Sequence, residues 1–243
     1  MPTPSETEIL EKIRKEPYYS LRILPMTGIE LTLKAASELI RKDAVRLRGW
    51  DMPHYDSNEI GRTQAYIFNG TDWASHVELW RMYRSGQFVY FGAPWDLAMD
   101  HQDKLRAEFD KFVFMADEPT KADVPGVLSF VGMIYSVTEF FIFAARLAKS
   151  LETTRFSIDL TLHNIEKWAL VSGEVGTLLW HYFYQARTPE IRISRDFRES
   201  SQVDPLAEST DALREIFECF SWDNSEGSIK NWQQKFMAGR FTF

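Results

Sequence analysis

The chain has 243 residues, of which 44% are hydrophobic and 26% charged, a composition typical of one large folded domain and unlike that of a disordered protein. Its formal net charge of -7 argues against broad, sequence-independent binding to nucleic acids or anionic membranes, because such binding needs a basic surface. The single cysteine, Cys219, excludes a disulfide framework within the chain, and its apolar neighbours predict a buried, reduced thiol.

The amino-terminal residues and the most apolar segment both favour a cytoplasmic protein without membrane association. Residues 1–10 carry glutamates where a signal peptide has a basic region followed by an apolar core. The segment from Val127 to Ala148 is long enough to cross a bilayer, but Glu139 lies near its middle. Because an unpaired carboxylate at that depth costs several kcal/mol, we expect a buried helix of a soluble protein.

The first half of the chain predicts two helices and most of a sheet. A short amphipathic segment, Ile9 to Lys15, precedes a strand over Tyr18 to Leu24. Apolar residues at helical spacing from Leu31 onward predict a helix that ends near Gly49. Residues 50–95 contain 11 aromatic side chains, which favour pleated surfaces, so most of the sheet is expected there.

A hairpin is the clearest unit of this aromatic region. The segment Val77 to Phe91 alternates on both sides of Ser85-Gly86, a turn dipeptide. Leu79 points to one face and Trp80 to the other, and both faces are apolar, which predicts that the strand is covered on both sides. Glycines divide the remainder into short strands, of which Tyr66 to Phe68 is the shortest.

The second half predicts a central helix, more strands and two final helices. A helix from about Pro125 to Leu151 is apolar nearly all round and should cover one face of the sheet. The other predicted elements are strands over Phe156 to His163, Trp168 to Val171 and Glu190 to Arg195, a helix from Asp204-Pro205, a helix from Ser225 that stops at Gly239, and a surface loop over 116–126.

Familiar catalytic motifs do not occur in the sequence. It has no Gly-rich phosphate loop, no dinucleotide fingerprint, no His-Glu-x-x-His, no Cys-x-x-Cys and no Gly-x-Ser-x-Gly. The common nucleotide, zinc and serine-hydrolase sites are therefore not indicated, and we predict no cofactor and no metal.

The densest polar cluster is the predicted turn over residues 46–56. Imidazole and carboxylate groups can bind a metal or transfer protons, and arginine can hold a phosphate. The alternative is a well-packed turn in which these groups satisfy the backbone. The spacing of its arginine and histidine also overlaps the Arg-x4-6-His pattern of the helical HEPN ribonucleases, but Gly49 and Pro53 break the helix that this pattern needs. The candidate catalytic residues are Arg48, Asp51, His54 and Asp56.

Three further groups have both a functional and a structural interpretation. Asp159 and His163 lie on the polar face of one strand, where they could form a catalytic pair, part of a binding face or a solvated sheet face. Glu139 and Arg146 in the central helix must find partners if they are buried. A basic face that could hold a phosphate backbone, or be solvated, comprises Lys34, Arg41, Lys42, Arg46 and Arg48.

Three segments of the chain, Leu47 to His54, Tyr83 to Val89 and Thr138 to Leu147, resemble a group of uncharacterised bacterial proteins. The similarity extends over about residues 18–221. Some members resemble extra domains beside a Schlafen-type AlbA-like domain, which this chain itself lacks. The resemblance implies a shared fold and a bacterial source, and it transfers no catalytic residue.

The sequence thus predicts an α+β fold with a mostly antiparallel sheet, covered by a long buried helix. Residues 1–203 should form the core domain, and residues 204–243 a helical extension packed on the same core. For function it predicts a non-enzymatic interaction or regulatory module of a bacterial stress or phage-defence system, acting through a protein partner or self-association. The alternatives are a metal- or phosphate-dependent hydrolase or nuclease centred on residues 48–56, and a nucleic-acid binder that uses the basic face of residues 34–48.

Overall fold

A seven-stranded sheet with helices on both faces confirms the predicted α+β class. The structure, a computed structural model, describes residues 5–73, 76–97, 99–112, 123–172, 184–223 and 226–240. In chain order the elements are α1 (Glu6–Ile13), β1 (Tyr18–Pro25), α2 (Leu33–Asp43), β2 (Gly61–Arg62), β3 (Tyr66–Trp73), β4 (His76–Tyr83), β5 (Phe88–Gly92), α3 (Met99–Phe112), β6 (Val127–Ser129), α4 (Phe130–Ser150), β7 (Phe156–His163), β8 (Ala169–Val171), β9 (Glu190–Phe197), α5 (Pro205–Cys219) and α6 (Glu226–Met237).

The main sheet has the order β2-β3-β4-β5-β1-β7-β9, and its neighbouring strands are antiparallel. The amino-terminal strand β1 therefore lies between the aromatic strands of the first half and the two strands of the second half. A separate parallel pair joins β6 to β8. This order brings residues of both halves of the chain onto each face of one sheet.

The central helix α4 lies on what we call the inner face of the sheet. On this face Trp80, Tyr90 and Leu21 are aligned across β4, β5 and β1, and all three are buried. Helices α5 and α6 pack against α4 on its other side. α4 is long and apolar enough to cross a membrane, but 89% of its most apolar stretch is buried within the fold, so it is a core helix. This confirms the predicted buried helix.

The short helix α1 covers half of the opposite, outer face. Ser5 and Glu8 form a capping box that fixes its first turn, with Ser5 N donating to Glu8 Oε2 at 2.8 Å. Its buried side chains Ile9 and Ile13 pack against Leu79 of β4. The hairpin strand is thus covered on both sides, as its two apolar faces predicted. The other half of the outer face, on β1, β7 and β9, carries polar side chains.

Several element boundaries differ from those predicted. The helix expected to end near Gly49 ends at Asp43, because Val45 leaves it to pair with Met52. The central helix begins at Phe130, since the three residues before it pair with β8. The strand expected to span only Tyr66 to Phe68 continues through Gly70 to Trp73.

Two local causes explain what the sequence analysis missed in these regions. Ile9 Cδ1 lies 2.3 Å from where a Cβ on Gly70 would be, so the glycine admits α1 and does not break the strand. Helix α3 was not predicted at all. Of its side chains that the structure describes, Leu105 and Phe109 are the buried apolar ones, and one such pair is a weak helical signal.

Other expectations have a mixed outcome. Cys219 is a free thiol that is half-buried. The predicted strands over 156–163, 168–171 and 190–195 are present as β7, β8 and β9, although β8 lies outside the main sheet. Most of the predicted loop over 116–126 and the predicted helix start at Ser225 fall outside the described residues.

The cover formed by α1 gives a direct test of the fold. Replacing Leu79 with Ala should lower the free energy of unfolding by about 2–5 kcal/mol, because it leaves a cavity beneath α1. Arg22→Ala, on the uncovered half of the same face, should cost less than about 1 kcal/mol, since its pair with Asp159 is exposed. Urea denaturation measures both values, and equal losses would contradict this assignment of the two halves.

Candidate functional site

A cavity of about 350 Å³ lies between the inner face of the sheet, the 44–56 turn and α4. Five of its twelve lining residues are aromatic, and the polar side chains that line it include Arg48, Glu78 and Ser136. The aromatic residues of the wall are Tyr19, Trp50, Tyr90, Trp95 and Phe140. The cavity also meets the imidazoles of His76 and His101.

Arg48 forms a buried ion pair with Glu139 of α4 beside this cavity. Arg48 Nη2 donates to Glu139 Oε2, and the two side chains are 18% and 1% exposed. Burial opposes the charge on Arg48, but the adjacent Glu139 outweighs it and raises the pKa of Arg48, so the guanidinium stays charged. Burial raises the pKa of Glu139, and Arg48 counteracts this rise. Each group thus depends on the other to remain ionised in the core.

Three polar side chains along one face of α4 hold the last residue of α2 and the segment after it. Besides Glu139, Arg146 donates from Nη1 to the carbonyl of Ala44 at 2.9 Å. One turn later, Ser150 Oγ donates to Asp43 Oδ1, also at 2.9 Å. Since these side chains recur at helical spacing, α4 fixes the entry to the turn at three points. Glu139 and Arg146 therefore have separate partners: Glu139 pairs with Arg48, and Arg146 binds the backbone.

Glu78 of β4 is the second buried carboxylate of the site, and its oxygens are fully engaged. Oε1 accepts from the backbone N of His54 at 2.6 Å. Oε2 accepts from the hydroxyl of Tyr90 at 3.2 Å and lies 2.8 Å from His76 Nε2. Burial and the nearby charge of Glu78 raise the pKa of Tyr90, so its hydroxyl remains a donor.

His76 Nε2 has two neighbours, and it cannot form hydrogen bonds with both at once. It lies 2.8 Å from Glu78 Oε2 and 3.1 Å from Nε1 of Trp50, which is also a donor. A nitrogen that donates to Glu78 cannot accept from Trp50. The indole nitrogen can only donate, and its N–H points at His76 Nε2. Trp50 is therefore held by this hydrogen bond, and its N–H is not free for a ligand at the cavity wall.

Asp96 completes the charged groups near the cavity, at the start of α4. Its Oδ2 accepts from the backbone N of Ser129 at 2.8 Å, and within the described ranges its Oδ1 has no hydrogen-bond partner. Burial raises its pKa to about 7, against the opposing effects of Ser129 and Arg48. The helix approaches so closely that a Cβ on Gly132 would lie 2.9 Å from Asp96 Oδ1. Glycine is required there for this contact.

Of the four candidate catalytic residues, the structure brings only Arg48 to the cavity. Asp51 pairs with Arg46 at 2.8 Å, and Asp56 accepts from the backbone N of Asn58 at 2.8 Å, as in a polar turn. The ring of His54 stacks on Trp50 at 5.0 Å between centroids. These four side chains therefore do not converge. Within the described part of the chain, no group of three His, Cys, Asp or Glu side chains could hold a metal ion.

The candidate basic face is split among several environments. Arg48 is turned inward to Glu139, Arg46 pairs with Asp51, and Lys34 lies 3.9 Å from Glu38. Arg41 and Lys42 are exposed side chains in the last turn of α2, a favourable place for positive charge. The positive charges thus do not form one continuous surface.

Asp159 and His163 share the polar outer face but do not contact each other through hydrogen bonds. Asp159 accepts from Arg22 and from Ser194 Oγ at 2.7 Å. His163 Nε2 lies 2.8 Å from Ser20 Oγ, and its Nδ1 lies 3.4 Å from Glu190. The order of these groups, Ser20, His163 and Glu190, matches a Ser-His-acid triad. However, β1 and β7 are each paired with a strand on both sides, so their backbone N–H groups are engaged in the sheet. These N–H groups therefore form no oxyanion hole. We interpret this set of groups as a polar cross-strand ladder.

Glu78, His76 and Asp96 were missed by the sequence analysis. Glu78 and His76 carry a signal in retrospect, since they occupy inward positions of β4 in phase with Trp80 and Met82. A carboxylate on an apolar face needs buried partners, and this is a detectable conflict in the pattern. Asp96 has no such signal, because it belongs to a short 3-10 turn without periodicity.

Comparisons of the chain with protein-family models, with curated proteins and with solved structures each gave no match. Any function must therefore be argued from the site itself.

The ion pair beneath the cavity can be tested by a double substitution. Arg48→Met should lower the free energy of unfolding by about 3–5 kcal/mol, because it leaves Glu139 buried without its cation. Adding Glu139→Leu should restore most of this loss, since the pair is then replaced by apolar groups. Lys230→Met, which removes an exposed pair with Glu226, is the control and should cost less than about 1 kcal/mol. Losses that simply add in the double variant would disprove the coupling.

Asp96 should make stability depend on pH. Its folded-state pKa of about 7 lies above its ordinary value of 3.8, so the folded protein holds a proton that the unfolded chain releases. Relative to Asp96→Asn, the wild type should lose stability as pH rises from about 4 to about 7, by up to about 1.4 kcal/mol per unit, and then level off. Chemical denaturation across this range measures the difference. A difference that is independent of pH would show that Asp96 is already ionised in the fold.

Proposed function

We propose that the protein is a regulatory module that binds a small molecule in the cavity of about 350 Å³ beside Arg48. The observation that carries the proposal is the combination of this cavity with buried ionised groups at its boundary. Ion pairs in a protein interior add little net stability, because desolvation offsets their attraction. The charged groups of Arg48, Glu139 and Glu78 cost free energy to bury. They lie around an open cavity, where a ligand could interact with them.

The size and the walls of the cavity favour a small organic ligand. Binding sites for such ligands are concave, mostly apolar and of a few hundred Å³, with few polar groups. Trp50 is held in place by edge contacts with Trp73 and His76, at 4.9 and 4.4 Å between centroids. The ring of Phe140 lies 5.4 Å from that of Tyr19, in an edge contact, and 5.4 Å from that of Tyr90, in a tilted one. The rings that would contact a ligand are therefore already held in place before it binds.

A regulatory function agrees with this arrangement better than the hydrolase alternative. The four residues proposed for hydrolysis do not converge, and the basic face proposed for nucleic acids is divided. The cavity instead joins the turn, the sheet and α4, so a bound molecule would stabilise contacts between elements far apart in the chain. The predicted protein partner could then bind the ligand-stabilised form in preference to the free form.

Blocking the cavity tests this proposal. Ala93 lines the cavity, and Ala93→Phe should fill part of it. Ala65→Phe is the matched control, since Ala65 is exposed and lies outside this cavity. Both variants and the wild type are screened by thermal denaturation against a set of small aromatic and aliphatic compounds with positive, negative and no charge.

We expect some compounds to raise the melting temperature of the wild type and of Ala65→Phe but not of Ala93→Phe. A compound at a hundredfold excess over its Kd adds about 2.7 kcal/mol, and each kcal/mol raises the melting temperature by roughly 2–4 °C in a chain of this size. If no compound stabilises the wild type, or if those that do stabilise Ala93→Phe equally, the proposal fails.

A further inference from the structure

We propose that the ligand of this cavity is an uncharged planar ring with a carbonyl oxygen, which accepts hydrogen bonds from Arg48. The inference rests on the proposed function, because it names the chemical class that the same cavity takes. It follows from which hydrogen-bonding groups around the cavity still have capacity for a ligand.

The charged side chain of the cavity wall with spare hydrogen-bonding capacity is a donor, Arg48. Among the described residues, the hydrogen bond of Arg48 goes from Nη2 to Glu139, which leaves its Nε and Nη1 groups for another acceptor. Because Glu139 holds one edge of the guanidinium, the remaining donors are presented in a fixed orientation. A carbonyl oxygen can accept two such hydrogen bonds.

The carboxylate of the cavity wall, Glu78, is already engaged. Both of its oxygens take hydrogen bonds from protein groups, from the backbone N of His54 and from the hydroxyl of Tyr90. The one free oxygen of Glu139 is inaccessible to solvent and is not part of the cavity wall. A cationic ligand would therefore meet the charge of Arg48 without finding a free carboxylate oxygen in the cavity wall.

The charge balance disfavours an anion as well. The charge of Arg48 is offset by Glu139, which it contacts directly. Glu78 adds a further negative charge at the cavity. An anion would thus find the charge of Arg48 already compensated and would be repelled by Glu78, in a region of low dielectric where charges interact strongly. A neutral acceptor gains the hydrogen bonds of Arg48 without this repulsion.

The shape of the ligand follows from the walls. The rings of Trp50, Trp95 and Phe140 offer flat apolar surfaces, and aromatic rings pack on one another in offset or edge-to-face arrangements. A cavity of about 350 Å³ has room for a compound of one or two rings but not for a dinucleotide or a peptide. The class therefore includes aromatic amides and simple nucleobases.

Three isosteric probes separate the charge states: benzamide is neutral, benzoate is an anion and benzamidine is a cation. We expect calorimetry on the full chain to give benzamide an affinity about tenfold or more above that of either ion, since unpaired donors and uncompensated charges disfavour the wrong ligand. The Arg48→Met, Glu139→Leu double variant keeps the core apolar and should lose this preference. Arg46→Met, an exposed neighbour of the same turn, should retain it.

The outcomes distinguish this inference from the proposed function. Equal or tighter binding of benzamidine or benzoate would overturn the assignment of a neutral acceptor, while the cavity would remain a binding site. An unchanged preference in the double variant would also overturn it, because Arg48 would then not be the donor. If benzamide fails to bind while other compounds of the screen bind in an Ala93-dependent way, the ligand class is wrong and the binding function stands. Absence of all binding would end both.

Discussion

The ion pair between Arg48 and Glu139 is the interaction on which the arrangement of the site depends. It joins the turn after α2 to the middle of α4, where neither side chain could remain charged alone. Arg146 and Ser150 extend this attachment along the same helix face. Apolar side chains of α4 also pack on the sheet. The position of the turn relative to the strands is therefore set by its polar contacts with α4 and by the apolar packing of α4 on the sheet.

The cavity can be understood as a consequence of this attachment. Glu78 binds the backbone of His54, and Trp80 donates to the carbonyl of the same residue at 2.6 Å, so β4 fixes the far end of the turn. A turn held at both ends cannot collapse onto the sheet beneath it. The side chains at its centre, Trp50 and Met52, then form one wall of the space that remains. Polar groups that add little to stability thus determine shape.

The sequence predicted the parts of the fold that rest on local periodicity. The hairpin around Gly86, the strand β7 and the buried helix α4 each have a pattern that a single element explains. The partners in the site did not follow from such patterns, because Arg48 and Glu139 are brought together only by tertiary packing. Arg48 itself was a candidate on the basis of its polar neighbours, yet those neighbours serve the turn and its real partners lie on β4 and α4. One sequence signal of the site was not used: Glu78 is a charged residue at an inward position of a strand, where it needs buried partners.

The place of β1 within the sheet has a consequence for how the chain is made. Its partner β5 follows within the first hundred residues, whereas β7, which pairs with its other edge, is synthesised much later. Until then the nascent sheet presents an unpaired edge whose N–H and C=O groups can recruit a strand of another molecule. The alternation of Ser20 and Arg22 with Leu21 and Ile23 along this edge places polar and charged groups on one side of it, and charged side chains are a common protection of exposed edges during folding.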